Sequence, residues 1–217
     1  MSARVKGSHP IARGGQARTR LARRAVVDAA RTLFLERGYQ ATTIDAISER
    51  ADVPAPTVYR LFSSKLGILK ALLDVSIAGD DEAVSLPQRP HVAALFDESD
   101  PAKLVAGFVE FAVAINVRSN DVYRILTSAA ASDPAAATML AEYSHQRAQG
   151  QGRIARSLAR AGALRTGLRE RDAADLIHAL MSPEMYRLLV IERGWTIDRY
   201  TKWLTTTLTG QLTPPPA

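Results

Sequence analysis

Between Thr43 and Phe62 the apolar residues fall into two short helical registers: Ile44, Ile47 and Ala51, then Val58 and Phe62, parted by Asp52-Val53-Pro54. Two short helices, a tight turn and apolar contacts that lock their angle are what a helix-turn-helix requires, and Val53 is placed to plug the turn. Helical spacing continues along the chain, and no segment alternates apolar and polar residues as a half-buried strand would. The expected fold is all-α, an N-terminal three-helix helix-turn-helix domain followed by a second helical domain.

Residues 1–18 are rich in Gly and Arg without an apolar period and read as a flexible basic arm. A first helix is expected over Thr19–Arg37, with Val26, Ala30, Leu33 and Phe34 on one face and Gly38 as its C-terminal cap. The second helix starts at Thr42 or Thr43, with Asp45 placed like the acid of a capping box. The third covers Ala55–Leu61, and the fourth begins near Ser64 with Leu66, Leu69 and Leu73 inward. Residues 19–79 thus form one domain, Pro87 and Pro90 mark 80–99 as a linker, and 100–217 form the second domain. Asp100-Pro101 and Asp133-Pro134 each offer a capping carboxylate and then a proline in the first turn, where its missing N–H is not needed. Helices are expected over 101–118, 121–131, 134–161, 170–193 and 196–212, with Pro183 kinking the fourth of these.

The chain has no cysteine, which excludes disulfides, thiol catalysis and cysteine-rich zinc sites. No run of about 18 apolar residues suggests a membrane span, and the basic N-terminus lacks the apolar core of a secretory signal, so a cytoplasmic location is expected. Charge is divided unevenly. Lys and Arg number 13 against 6 acids through Gly79, a balance of +7, and 15 against 16 beyond it, a balance of −1. Arg4, Lys6, Arg13, Arg18, Arg20, Arg23 and Arg24 all precede the first acid, Asp28. A polyanion is drawn to such an end, because neutralised phosphates release condensed counterions. His145 and His178 lack the spacing of a metal site, and no paired carboxylates, Ser/His/Asp pattern or phosphate-binding glycine loop occurs. Neither catalysis, a cofactor nor a metal is expected.

Packing Val58 and Phe62 inward leaves Thr57, Tyr59 and Arg60 on the outer face of the third helix, a hydroxyl, a phenol and a guanidinium suited to phosphate oxygens and base edges. Lys65, at the start of the fourth helix, is placed to share a phosphate with the N–H groups there. The string GYQATTIDAISERADVPAPTVYRLFSSKLGIL resembles the DNA-binding segment of the tetracycline-repressor (TetR) family. The match falls on Gly38-Tyr39, Thr43, Ile47, Ala51, Val53, Thr57-Val58-Tyr59, Phe62, Lys65 and Ile68-Leu69. That resemblance implies that Thr43, Thr57, Tyr59 and Lys65 contact DNA, mostly its backbone, and that the helices beyond residue 80 bind a ligand and dimerise. Two departures stand out. Asp52 occupies the usual turn glycine, and Pro54-Ala55-Pro56 replaces the usual cap of the recognition helix, so base contacts near that helix start cannot be carried over. Arg60 is the candidate for base readout, or equally for a backbone contact.

In the second region Phe108, Phe111, Tyr123, Met139, Tyr143, Met181 and Met185 are core candidates on composition alone. The family likeness makes them candidate pocket walls, for an apolar or aromatic ligand with Tyr123 or Tyr143 as polar handle. MSPEMYRLLVIERGW is apolar around much of its circumference, and Tyr200, Leu204 and Leu208 recur at helical spacing beside Trp203. Leu188, Ile191, Tyr200, Trp203, Leu204 and Leu208 are therefore expected in a four-helix interface between two copies. The resulting expectation is a homodimeric regulator on a near-palindromic double-stranded DNA operator, released by a small-molecule effector. Its competitors are a DNA-binding regulator without an effector and a helical small-molecule-binding protein.

Overall fold

The computed structural model describes residues 10–80 and 88–214, and only the backbone of residues 10–14 and 91. The described residues form helices and no strand. They divide into two compact units, Met1–Leu72 and Leu73–Ala217. This division falls inside the fourth helix rather than at 80–99, and the expected linker itself contains a short helix, α5 (Pro90–Phe96).

The first unit holds α1 (Pro10–Ala41), α2 (Ile44–Ala51), α3 (Ala55–Phe62) and the first turns of α4 (Lys65–Ala78). α1 begins at Pro10, so residues 10–18 of the expected arm are helical; residues 1–9 of it lie outside the described residues. Gly38 interrupts α1 with φ 81° and ψ 162°, a conformation in which a Cβ would be strained. Val26, Ala30, Leu33 and Phe34 are buried on the inner face of α1, as are Ile47, Val58 and Phe62 from the helices that follow and Val53 from the turn between them. Thr43 caps α2, accepting a hydrogen bond from the Ala46 N–H at 3.1 Å. Asp45 is consequently the second residue of the helix, one short of the capping-box position, and its carboxylate acts only on the helix dipole.

The second unit contains the end of α4, then α5, α6 (Pro101–Ala130), α7 (Pro134–Arg160), α8 (Glu170–Leu180), α9 (Pro183–Tyr186) and α10 (Ile197–Leu212). Asp100 and Asp133 cap α6 and α7 as expected, each accepting from two main-chain N–H groups. α6 is a single helix where two were expected. The polar run at Ser119-Asn120, which reads as a gap, instead faces inward, both residues being buried. The expected long helix over 170–193 also differs. α8 stops at Leu180, and Pro183 opens α9 behind the Ser182 cap instead of kinking a continuous helix, since proline suits a first turn better than an interior. α9 runs on into a π-helical segment, Arg187–Glu192, which closes with the Arg193 N–H donating to the Leu188 carbonyl. The core joins Leu104, Val105 and Val109 of α6, Ile154 and Leu158 of α7, Ile177 of α8 and Tyr200, Leu204 and Leu208 of α10.

Candidate functional site

The turn between α2 and α3 is built from its own residues. Asp52 adopts φ 51° and ψ 41°, the left-handed geometry that Asp tolerates better than most side chains. The Ser48 hydroxyl donates to the Val53 carbonyl at 2.6 Å, and the Val53 N–H returns to the Ser48 carbonyl at 3.1 Å. Val58 and Phe62 hold α3 from below, and Arg23 of α1 holds it from one end. The Arg23 guanidinium donates to the Leu61 carbonyl at 2.9 Å and lies 4.7 Å from the centre of the Phe62 ring. A cation against the last carbonyls of a helix also complements its dipole.

Tyr59 is left 51% exposed, and Arg60 beside it is exposed as well. Thr57 is half-buried and Thr43 exposed. The Thr43 oxygen caps α2, which leaves its hydroxyl hydrogen available to an acceptor. The entry to α3 is poor in donors. No side chain caps it, Pro54 and Pro56 carry no N–H, and the N–H groups of Thr57 and Val58 both turn back to the Pro54 carbonyl.

Lys65 does not stand where a phosphate alone would claim it. Its ammonium donates to the carbonyls of Tyr39 at 2.7 Å, Thr42 at 2.8 Å and Gln40 at 3.3 Å, and lies 4.4 Å from the centre of the Tyr39 ring. An ammonium has three donors, and all three have carbonyl acceptors here. The ammonium thus clamps the corner between α1 and α2, at the position where a phosphate contact is expected. Arg23 and this clamp were not legible in the sequence, because each joins residues more than twenty positions apart.

Among the residues expected in a dimer interface, Tyr200, Leu204 and Leu208 are between 0% and 2% exposed, buried in the core of their own unit. Trp203 packs partly against the same core. Leu188 and Ile191 of the π-helical segment remain 45% and 52% exposed. Spacing identified a shared face in α10 but not what that face meets.

The expected pocket residues also separate. Phe108 and Met181 belong to the core, with Phe111 and Met185 packed against it. Tyr123 and Tyr143 come together, their ring centres 5.8 Å apart, and Met139 is buried on α7. Around the tyrosines lies a polar group that the sequence reading missed. The Tyr123 hydroxyl donates to the Glu184 carboxylate. Arg147 donates to the Met181 carbonyl at 3.2 Å and lies 3.4 Å from His178 Nε2. His178 Nδ1 is 2.7 Å from Gln151 Oε1. A neutral imidazole fits both contacts, donating from Nδ1 and accepting at Nε2. Burial lowers the His178 pKa, and the Arg147 charge lowers it further. Burial raises both tyrosines, with the Glu184 hydrogen bond adding to the rise at Tyr123. The available signal was the stripe Tyr143, Arg147, Gln151 at four-residue spacing on one face of α7.

Neither unit shows a group of His, Asp or Glu arranged to hold a metal among the described residues, and no described helix is long and apolar enough to cross a membrane. Residues 26–72 match the model of bacterial regulatory proteins of the tetR family. The HTH-type transcriptional regulator YvkB of Bacillus subtilis is 44% identical over 48 residues, 22% of this chain and 25% of YvkB. A second regulator of that organism, YdeS, is 26% identical over 178 residues, 81% of this chain and 82% of YdeS. Among solved structures, SmeT with triclosan shares 19% identity, covers 89% of this chain and 92% of its own, and has a TM-score of 0.64. SmeT is the repressor of a Stenotrophomonas maltophilia multidrug efflux pump. Residues 26–72, which hold the helix-turn-helix of the first unit, thus match the tetR family, and the relatives to which the chain is similar are transcriptional regulators rather than enzymes.

Proposed function

We propose that the protein is a cytoplasmic repressor that binds a near-palindromic operator as a homodimer and is released by a small apolar or aromatic effector. The observation that carries this reading is α3 itself, anchored by Val58, Phe62 and Arg23 while Tyr59 and Arg60 stay exposed. In this reading the first unit grips DNA and the second dimerises and takes the effector. Thr43, Thr57 and Tyr59 meet the phosphate backbone, Arg60 reaches a base edge or a phosphate, and Lys65 positions the helix pair. Two copies place their recognition helices in successive major grooves, about 34–36 Å apart. Leu188 and Ile191 supply exposed apolar surface for the contact between copies.

Effector release is supported by the Tyr123–Tyr143 pair in the second unit and by the triclosan complex of SmeT. An effector acts only if it binds the DNA-competent and released forms with different affinity. A gel-shift series on the DNA upstream of the protein's own gene tests the reading. Sequence-selective binding that weakens with salt, as one half-site per subunit, is the expected result. Binding without sequence preference overturns it, and selective binding that no small molecule alters reduces it to a regulator without an effector.

A further inference from the structure

Resting on the effector reading, we infer that the ligand is a small aromatic acid: its carboxylate meets Arg147, a hydroxyl meets Glu184, and its ring lies against the Tyr123–Tyr143 pair. Three observations converge on this chemistry. The first is the state of Arg147. Its guanidinium carries five N–H donors, of which one points to the Met181 carbonyl and one to His178. Both partners are uncharged, so an ion pair is still to be made. Carboxylate is the group whose geometry answers a guanidinium fork, with two parallel charge-assisted hydrogen bonds.

The second observation is the separation of opposite charges. Arg147 and Glu184 both act on Tyr123, Tyr143 and His178, yet no ion pair joins the two. Glu184 uses one carboxylate oxygen for the Tyr123 hydroxyl. Its other oxygen remains an acceptor for a ligand hydroxyl. A molecule carrying an acid at one end and a hydroxyl at the other satisfies both charges without forcing them together.

The third is what surrounds them. Tyr143 is nearly buried, with Ser119 beside its hydroxyl, and its ring pairs with Tyr123, giving an aromatic wall with polar rims. One turn before Tyr123, Asn120 is 6% exposed and its Oδ1 has no hydrogen-bond partner among the described residues. A buried carbonyl left unmet is unusual and favours a further donor in this region. Arg147 also satisfies a carbonyl at the end of α8, but that structural task occupies a single donor.

Matched pairs of probes test the inference on the full-length dimer: benzoate, 4-hydroxybenzoate and 4-hydroxyphenylacetate, each against its own amide. Calorimetry reads binding, and fluorescence anisotropy of labelled operator DNA reads release. At least one acid is expected to bind tenfold or more tightly than its amide and to release DNA. Arg147→Gln is expected to erase that preference and Glu184→Gln to weaken hydroxylated acids only. Arg147→Lys, which keeps the charge, shows whether losses come from misfolding, and the acid–amide comparison in the unaltered protein stands without any variant. Amides that bind as well as acids, or no acid bound at millimolar concentration, overturn the aromatic-acid inference while leaving an effector possible. If a chemically diverse set of neutral and charged compounds also fails to release the operator, the effector reading itself fails.

Discussion

Around the helix-turn-helix of the first unit, four polar side chains turn back onto the main chain: Lys65 onto three carbonyls, Arg23 onto the Leu61 carbonyl, Thr42 onto that of Gly38, and Thr43 onto the Ala46 N–H. Around the Tyr123–Tyr143 pair of the second unit, side chains also meet one another between helices, as Tyr123 with Glu184, Arg147 with His178 and His178 with Gln151. Side chains bound to backbone make a rigid frame, which suits a surface that must present Tyr59 and Arg60 in one orientation. Side chains bound to one another can change partners when a ligand arrives, because each contact they give up can be replaced in kind. In the proposed function this contrast gives rigidity to the helix-turn-helix and responsiveness to the group around the two tyrosines.

The strongest way to break this contrast is Gly67→Ala. A Cβ there would stand 2.0 Å from the Phe62 carbonyl oxygen, a main-chain atom that cannot swing away. A loss of about 3 kcal/mol or more is expected in the first unit. Both tryptophans, Trp195 and Trp203, lie in the second unit. Urea titrations should therefore show helix loss by circular dichroism ahead of the tryptophan fluorescence change. A single coincident transition would mean that the two units do not differ in the way described.

Lys65→Met comes next. It keeps the apolar stem and removes the ammonium that donates to the carbonyls of Tyr39 and Thr42. Roughly 2 kcal/mol of stability should be lost, the partial exposure of Lys65 moderating the cost. Unchanged stability together with weaker operator binding would restore Lys65 to the DNA contacts. Tyr59→Ala should do the reverse of the clamp variant. Denaturation is expected to shift by no more than about 0.5 kcal/mol, while operator affinity falls about tenfold, or ~1.4 kcal/mol.

The smallest expected effect belongs to the second unit and its pH dependence. Burial, and then the Arg147 charge, lower the pKa of His178 in the folded protein, against the opposing pull of Asp175 and Glu184. The unfolded chain then binds a proton more readily than the folded one, so the contribution of neutral His178 is present above its ordinary pKa of about 6.5. It is lost as pH falls through the lowered value. Melting temperature should drop slightly across that range, and His178→Gln should flatten the drop. An equal drop in the variant would show that His178 is not the titrating group.

How much was legible follows from the distance between partners. Thr43, Asp100 and Asp133 announced their caps because each carboxylate or hydroxyl bonds an N–H two or three residues on. Asp52 was readable as a left-handed turn because its preference is its own. The register of Ile47, Val58 and Phe62 gave the inner faces of α2 and α3, since a short helix in so small a unit has only one core to face. What the sequence by itself determined about this protein is thus local: the helices of the first unit, their caps and the exposed face of α3. Only the tertiary structure decided what the remaining faces meet. It buried Tyr200, Leu204 and Leu208 in the core of their own unit, set the Lys65 ammonium against main-chain carbonyls, and gathered Arg147, His178 and Glu184 beside two tyrosines. Periodicity records which side chains share a face, but their partners are set by packing between residues far apart in the chain, a quantity no local pattern contains.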